Sequence, residues 1–131
     1  MRVATAVCAA VLTSTAHALR CTPIWTSPVA GSRLMLFTKE GCTLCDKAVD
    51  VLEAQREAWP HSLDAVDIEA PGNEEFLLRY CYDIPVLHVD GRYWAKHRIT
   101  ASEAVAALTD AAAGKFEARR GEPDARKARP R

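Results

Sequence analysis

An apolar run leads directly into a C-x-x-C pair in the segment LMLFTKEGCTLC, from Leu34 to Cys45. The run ends at Phe37 and is short and uninterrupted, which is typical of a strand buried on both faces. After Leu44, apolar residues recur at helical spacing until Pro60 ends the pattern. A strand, a short turn, C-x-x-C and a helix together predict a thiol pair at a helix N-terminus.

The position of this pair has a chemical consequence. Backbone N–H groups at a helix N-terminus lack partners within the helix, and the helix dipole is positive there, so an anionic sulfur is stabilised over a neutral thiol. The thiolate is the reactive species in disulfide exchange. Cys42 and Cys45 are therefore the candidate redox residues.

The rest of the chain predicts an alternation of helices and strands that ends in a hairpin and a helix. The predicted elements are a strand over 63–68, a helix over 74–80, strands over 85–89 and 92–95, and a helix from Thr100 or Ser102 to Gly114. Asp90-Gly91 suits the positive φ angles of a tight hairpin turn. The helical crossover makes the first two strands parallel, and the hairpin adds an antiparallel edge. The predicted fold class is α/β, a thioredoxin-like β-α-β-α-β-β-α order with a four-stranded mixed sheet flanked by helices.

Two segments of the chain resemble the signature segments of a short glutaredoxin-like family. They are KEGCTLCD, from Lys39 to Asp46, and DIPVL, from Asp83 to Leu87. The resemblance covers about residues 33–113. It agrees with the predicted order of strands and helices.

This resemblance implies roles for five residues. Cys42 would be the exposed nucleophile and Cys45 the resolving thiol, one helical turn further along. The Ile84-Pro85 peptide bond would be cis, pack beside the disulfide and offer main-chain groups to an extended substrate. Lys39 would favour the thiolate and face the carboxylate of glutathione.

The implied function is a thiol-disulfide oxidoreductase that reduces protein disulfides or glutathione mixed disulfides. It would hold no bound cofactor or metal and would use glutathione as its reductant. A non-catalytic redox-sensing or partner-binding module is the first alternative, because nothing after Gly91 resembles the Gly-Gly and Cys/Ser-Asp segment that holds the other end of glutathione. An iron-sulfur or metal scaffold that uses Cys42 across a dimer is the second alternative.

Composition limits the class of partner. The 131 residues carry no net charge, with 17 basic and 17 acidic side chains, so nothing favours nucleic acid as a partner. No apolar stretch is long enough to cross a bilayer. We therefore expect a monomer with one folded domain whose partners are glutathione, other small molecules or protein disulfides.

The N-terminal segment differs from the middle of the chain. Residues 1–18 end in Ala16-His17-Ala18 and predict a cleaved signal peptide, and hence the secretory pathway or an extracellular location. An organellar presequence for the mitochondrion or plastid is the alternative, because no acidic residue precedes Glu40. Residues 19–32 are predicted as an irregular linker containing Cys21, whose thiol is free or has an unidentified partner.

The folded domain is predicted over residues 33–114, with Cys81 as a buried structural thiol. Residues 115–131 are rich in charge, and Phe116 is their only large apolar residue. Such a composition predicts a disordered charged tail, because it buries too little surface to offset the entropy of ordering.

Overall fold

The computed structural model describes residues 21–127, and this part contains five strands and three helices. The strands are β1 (Cys21–Trp25), β2 (Ser32–Thr38), β3 (His61–Asp67), β4 (Val86–Val89) and β5 (Arg92–Lys96). The helices are α1 (Thr43–Glu53), α2 (Glu74–Tyr80) and α3 (Ala101–Ala112). The predicted signal peptide, residues 1–18, lies outside the described residues.

The strands form one mixed sheet in the order β1-β3-β2-β4-β5. β2 and β3 are parallel, as the helical crossover predicted, and β4 runs antiparallel to both β2 and β5. Asp90 and Gly91 in the hairpin turn have φ angles of 50° and 83°, which agrees with the turn that their types predicted. The predicted thioredoxin-like α/β class is confirmed.

The sheet has one strand more than the four predicted, because residues 21–25 pair with β3 and are not part of a linker. Pro23 indicated irregular structure, yet an edge strand tolerates proline where the missing N–H faces solvent. The pairing is irregular between Pro23 and Trp25. Trp25 holds the strand in place, because its ring is buried and its Nε1–H donates to the His61 carbonyl at 3.1 Å.

Helices cover both faces of the sheet, which explains why the run from Leu34 to Phe37 is apolar throughout. Residues of α1 and α3 pack into what we call the first core, which includes Leu34, Leu36, Leu52, Trp94 and Leu108. Residues of α2 pack into the second core on the other face, which includes Phe37, Val66, Tyr80, Val86 and Tyr93.

Residues 115–127 form a segment, here called the C-terminal strap, that passes from the first core to the second around the β5 edge. Phe116 is 7% exposed and belongs to the first core. The Arg119 N–H donates to the Tyr93 carbonyl on β5 at 2.9 Å. Beyond this point, Glu122 accepts a hydrogen bond of 2.6 Å from the Tyr80 hydroxyl in the second core.

The prediction of a disordered tail is therefore wrong for residues 115–127. Composition understated the order, because the segment is held by one buried aromatic ring and by one carboxylate that accepts from Arg79 and the buried Tyr80. Residues 128–131 lie outside the described part of the chain. The folded unit extends beyond the predicted boundaries of 33 and 114 at both ends.

Candidate active site

The turn between β2 and α1 brings Cys42 to the N-cap position of the helix. Gly41 permits this turn, since its φ of +83° lies in the left-handed region where a side chain would be strained. The Cys42 N–H donates to the Lys39 carbonyl at 3.3 Å. The Cys45 N–H donates to the Cys42 sulfur at 3.1 Å. The sulfur thus occupies the place that a serine or aspartate oxygen takes in other N-caps.

The two cysteines form a disulfide and differ in exposure. Their Cα atoms are 5.2 Å apart. Cys45 is 2% exposed, whereas Cys42 is half-buried. A reactant that arrives from solvent therefore reaches the sulfur of Cys42 more readily than that of Cys45.

The cis-proline loop, Asp83-Ile84-Pro85, lies at the same end of the sheet as the cysteines. The Ile84-Pro85 peptide bond is cis. Pro85 leads into β4, whose Val86 pairs with Phe37 shortly before β2 enters the cysteine turn. Within the described residues the Ile84 main chain makes no hydrogen bond.

Lys39 is exposed and follows β2 directly. Its Nζ lies 3.9 Å from a carboxylate oxygen of Glu69, and the two side chains are 43% and 53% exposed. A pair with this exposure contributes at most about 1 kcal/mol. The predicted contact of Lys39 with glutathione stays a prediction.

Sequence reasoning missed a polar cluster at the cis-proline loop. The Asp83 carboxylate lies 3.0 Å from His97 Nε2 and 3.4 Å from Lys96 Nζ. The His97 backbone N–H donates to the Pro85 carbonyl at 2.8 Å. The hairpin register could have revealed this cluster, because a turn at residues 90–91 brings the residues after β5 beside those before β4.

A second polar cluster lies beneath the C-terminal strap. It is further along β4 than the cysteine end of the sheet. The Glu122 carboxylate accepts from Arg79 at 2.7 Å and from the Tyr80 hydroxyl, and His88 Nε2 is 3.6 Å away. Burial raises the pKa of the Tyr80 hydroxyl well above its usual range, and the hydrogen bond to Glu122 raises it further. Burial lowers the pKa of His88, an effect that Glu122 opposes and Arg79 reinforces.

Two further cysteines are free thiols. Cys21 is exposed at the start of β1. Cys81 is half-buried at the C-cap of α2, so it is less shielded than predicted. The structure pairs neither of them with the C-x-x-C cysteines.

Within residues 21–127, no three His, Cys, Asp or Glu side chains are grouped so that they could hold a metal ion. None of the helices in this part of the chain has the length and apolar character that crossing a membrane requires.

Comparison with protein families gives a match to the Glutaredoxin-like domain (DUF836) over residues 33–109. A relative from Dictyostelium discoideum, the Glutaredoxin-like protein YDR286C homolog, is 30% identical over 70 residues. That alignment covers 50% of this chain and 65% of the relative, so slightly less than two thirds of the relative's length is spanned.

A solved structure is also similar to this chain. Protein Ne2328 from Nitrosomonas europaea superposes with a TM-score of 0.52 at 21% sequence identity, and the match covers 63% of this chain and 96% of that protein. At this identity the likeness concerns the fold alone. It agrees with the thioredoxin-like class, and the strap lies beyond residues 33–109 that match the family.

Proposed function

This chain belongs to the family of the Glutaredoxin-like domain (DUF836), and we propose that it is a thiol-disulfide oxidoreductase with Cys42 as nucleophile and Cys45 as resolving thiol. One observation carries the proposal. The half-buried Cys42 sulfur lies at the N-cap of α1, joined to the sulfur of Cys45, which is 2% exposed. An attacking group and a protected second thiol are the two components that reversible disulfide exchange requires.

The proposed reaction proceeds in two exchanges. The Cys42 thiolate attacks one sulfur of a substrate disulfide, which forms a mixed disulfide and releases the other sulfur as a thiolate that takes a proton from solvent. The Cys45 thiolate then attacks Cys42 and releases the remaining substrate thiol. Two electrons pass to the substrate, and the Cys42–Cys45 disulfide is left. Two glutathione thiols, or one dithiol protein, reduce it again.

The geometry supports an assignment for each thiol. At the N-cap, the Cys42 sulfur accepts the Cys45 N–H and faces the positive end of the α1 dipole, which stabilises an anionic sulfur. When the disulfide is reduced, the incoming thiolate attacks the more exposed sulfur of Cys42, and Cys45 leaves as a thiolate. Cys45 lies one turn inside the helix, where it can attack a mixed disulfide on Cys42 but is screened from solvent.

Substrate binding is proposed to use the cis-proline loop and Lys39. The unpaired main-chain groups of Ile84 can bond an extended peptide, with Pro85 beside it at the cysteine end of the sheet. The Lys39 ammonium would attract the carboxylate of glutathione. The proposed partners are thus glutathione and protein disulfides, with the chain acting as a monomer and with no bound cofactor.

A non-catalytic redox module is the second candidate. The chain at the end of β5 reads Lys96-His97-Arg98, and His97 is held by Asp83 and Pro85 of the cis-proline loop. Nothing in this segment resembles the glycine pair with which other glutaredoxins hold glutathione. A protein of this kind would cycle between thiol and disulfide without turning over substrate.

The direction of electron flow depends on the compartment. We propose the secretory pathway, reached through the N-terminal signal, where an oxidising lumen keeps the Cys42–Cys45 pair oxidised. A mitochondrial or plastid matrix is the alternative and would keep the pair reduced.

Turnover separates catalysis from the non-catalytic candidate. The assay is reduction of a glutathionylated peptide by glutathione, with the parent protein, Cys42→Ser, Cys45→Ser and the matched control Cys81→Ser. We expect activity in the parent and in Cys81→Ser, and loss of activity in Cys42→Ser. Residual activity in Cys45→Ser would indicate a route through Cys42 alone.

The negative result is equally informative. An inactive parent whose Cys42 is readily alkylated would exclude glutathione as the reductant. A dithiol protein such as thioredoxin would then be supplied in place of glutathione. Failure with both reductants would favour the non-catalytic module.

A further inference from the structure

The cis-proline loop is held at both of its ends by backbone hydrogen bonds. At one end the Asp83 N–H donates to the Tyr80 carbonyl of α2 at 2.9 Å. At the other end the Pro85 carbonyl accepts the His97 N–H at 2.8 Å. Ile84 lies between the two, without a main-chain partner within residues 21–127.

Side chains add a third connection between the loop and the end of β5. His97 Nε2 lies 3.0 Å from the Asp83 carboxylate, and Lys96 Nζ lies 3.4 Å from the same oxygen. The Asp83 side chain is only 21% exposed, whereas those of His97 and Lys96 are 47% and 38% exposed. Asp83 is therefore the inner member of the cluster, and its two partners lie nearer to solvent.

His97 has a backbone conformation that is uncommon for a residue other than glycine. Its φ is +67°, in the left-handed region that a residue other than glycine adopts at a cost of roughly 1–2 kcal/mol. In this conformation both the backbone N–H and the imidazole of His97 reach the loop. A glycine would take the same backbone shape without strain but could not contact Asp83. Retained strain of this kind points to a function for the side chain.

We infer that Asp83 and His97 form a positioning pair that fixes the cis-proline loop, and with it the free main-chain groups of Ile84, for binding a peptide-linked disulfide. The inference rests on the proposed function. A partly exposed polar pair of this kind contributes at most about 1 kcal/mol to folding. A loop that must be ordered on binding weakens the binding of its ligand. Loss of the pair therefore affects substrate binding more than folding or the chemistry at Cys42.

The test uses His97→Gly and Asp83→Ala in the full chain, with Arg98→Ala as the matched control because Arg98 is exposed and no contact of its side chain is found in the described residues. The substrates are a glutathionylated peptide and bis(2-hydroxyethyl) disulfide, which has no peptide main chain to pair with Ile84. We expect KM for the peptide to rise at least fivefold in both variants. We also expect kcat, and turnover of the small disulfide, to stay within twofold of the parent.

His97→Gly distinguishes positioning from a structural role. Glycine keeps the backbone shape at φ +67° without strain but removes the imidazole, so a purely structural role of the side chain predicts lower stability and an unchanged KM. Positioning predicts a raised KM at equal or higher stability. Asp83→Asn keeps an oxygen that can accept from His97, and it should restore KM to within about twofold of the parent.

Hydrogen exchange of the His97 amide tests the loop independently of catalysis. In Asp83→Ala this amide should exchange at least fivefold faster than in the parent, since its acceptor is the Pro85 carbonyl of the released loop. Unchanged exchange, or an unchanged peptide KM in a parent that turns over, would overturn the positioning pair while the oxidoreductase proposal stands. A parent without turnover would overturn that proposal instead, and the exchange measurement would still decide whether the loop is fixed.

Discussion

The C-x-x-C turn and the C-terminal strap are held by different kinds of contact. The turn is held by backbone hydrogen bonds within the segment from Lys39 to Asp46. The strap is held largely by side chains, because Phe116 packs in the first core and Glu122 bonds Arg79, which lies 43 residues earlier in the chain. The first region depends on local sequence, and the second depends on the completed fold.

Because of this difference, we expect the C-x-x-C turn to determine the rate of disulfide exchange and the strap to determine the free energy of unfolding. The reactive sulfur of Cys42 lies where few tertiary contacts depend on it, so its replacement should change exchange and little else. The strap runs along β5, and its Glu122 accepts from Arg79 and from the buried Tyr80 of the second core. Its replacement should therefore lower the free energy of unfolding without altering the reaction of each folded molecule. The predictions below test this separation.

Replacement of the nucleophile should give the largest effect. Cys42→Ser removes the attacking thiolate, and we expect turnover to fall by at least 1,000-fold, which corresponds to about 4 kcal/mol in activation free energy. The free energy of unfolding of the reduced protein should change by less than about 0.5 kcal/mol. Denaturant titration and initial rates on one preparation check both values. A variant that is inactive because it is unfolded would contradict the separation.

The strap should show the reverse behaviour at Phe116. Phe116→Ala leaves a cavity in the first core, and we expect a loss of about 3 kcal/mol in the free energy of unfolding. Lys115→Ala, at an exposed neighbouring position, serves as the control and should stay near the parent. Turnover per folded molecule should remain within twofold. A disordered strap would instead give equal stabilities for Phe116→Ala and Lys115→Ala.

The carboxylate of the strap should contribute less than its aromatic ring. Glu122→Gln removes the negative charge that accepts hydrogen bonds from Arg79 and Tyr80. We expect a loss of about 1–2 kcal/mol in the free energy of unfolding. Glu117→Gln is the matched control, because Glu117 is an exposed residue of the same strap. Equal unfolding midpoints in urea for the two variants would show that Glu122 contributes nothing specific.

Protonation of buried histidines should have a smaller effect on the free energy of unfolding than the substitutions in the strap. Burial lowers the pKa of His88 beneath the strap, and also that of His61 at the start of β3, so the unfolded chain binds protons more readily than the folded one. Stability should be complete above the unfolded pKa of about 6.5 and should fall as the pH drops below it toward the folded values. Unfolding midpoints from about pH 7.5 to 5.5 should decline less in His88→Gln than in the parent. Parallel curves would contradict this origin of the pH dependence.

The smallest effect is expected at Lys39. Its Nζ is 3.9 Å from Glu69 in an exposed pair, so Lys39→Gln should change the free energy of unfolding by less than about 1 kcal/mol. If Lys39 favours the thiolate, alkylation of reduced Cys42 should slow two- to threefold. Lys47→Gln is the control for a general change in charge near the site. Equal slowing in both variants would remove any specific role for Lys39.

The cysteine turn, the hairpin and the last helix could be predicted because their signals are local. Helical periodicity after Leu44, the Asp90-Gly91 turn and the cap at Thr100 each lie within a few residues of the structure that they determine. Thr100 accepts the Glu103 N–H at 3.1 Å, as its type predicted. The cis bond before Pro85 followed from resemblance to a family, since sequence physics alone gives no isomer.

The missed regions depend on contacts between distant residues. β1 contains Pro23, which predicts irregular structure from sequence alone. The residue fits a strand only because β1 pairs with β3 at the edge of the sheet. In the strap, Phe116 packs in the first core. Glu122 bonds Arg79 and Tyr80, which both belong to α2. Neither region carries a periodic pattern, so its order becomes visible only when the fold has brought its partners together.

Trapping the first intermediate tests the assignment of the nucleophile most directly. Cys45→Ser is reduced, mixed with glutathione disulfide and digested, and the modified cysteine is located by mass spectrometry. We predict one glutathione on Cys42, with Cys21 and Cys81 modified much more slowly. Modification of Cys21 or Cys81 at the same rate as Cys42, or an unmodified Cys42, would contradict the central claim that the helix N-terminus makes Cys42 the reactive thiol.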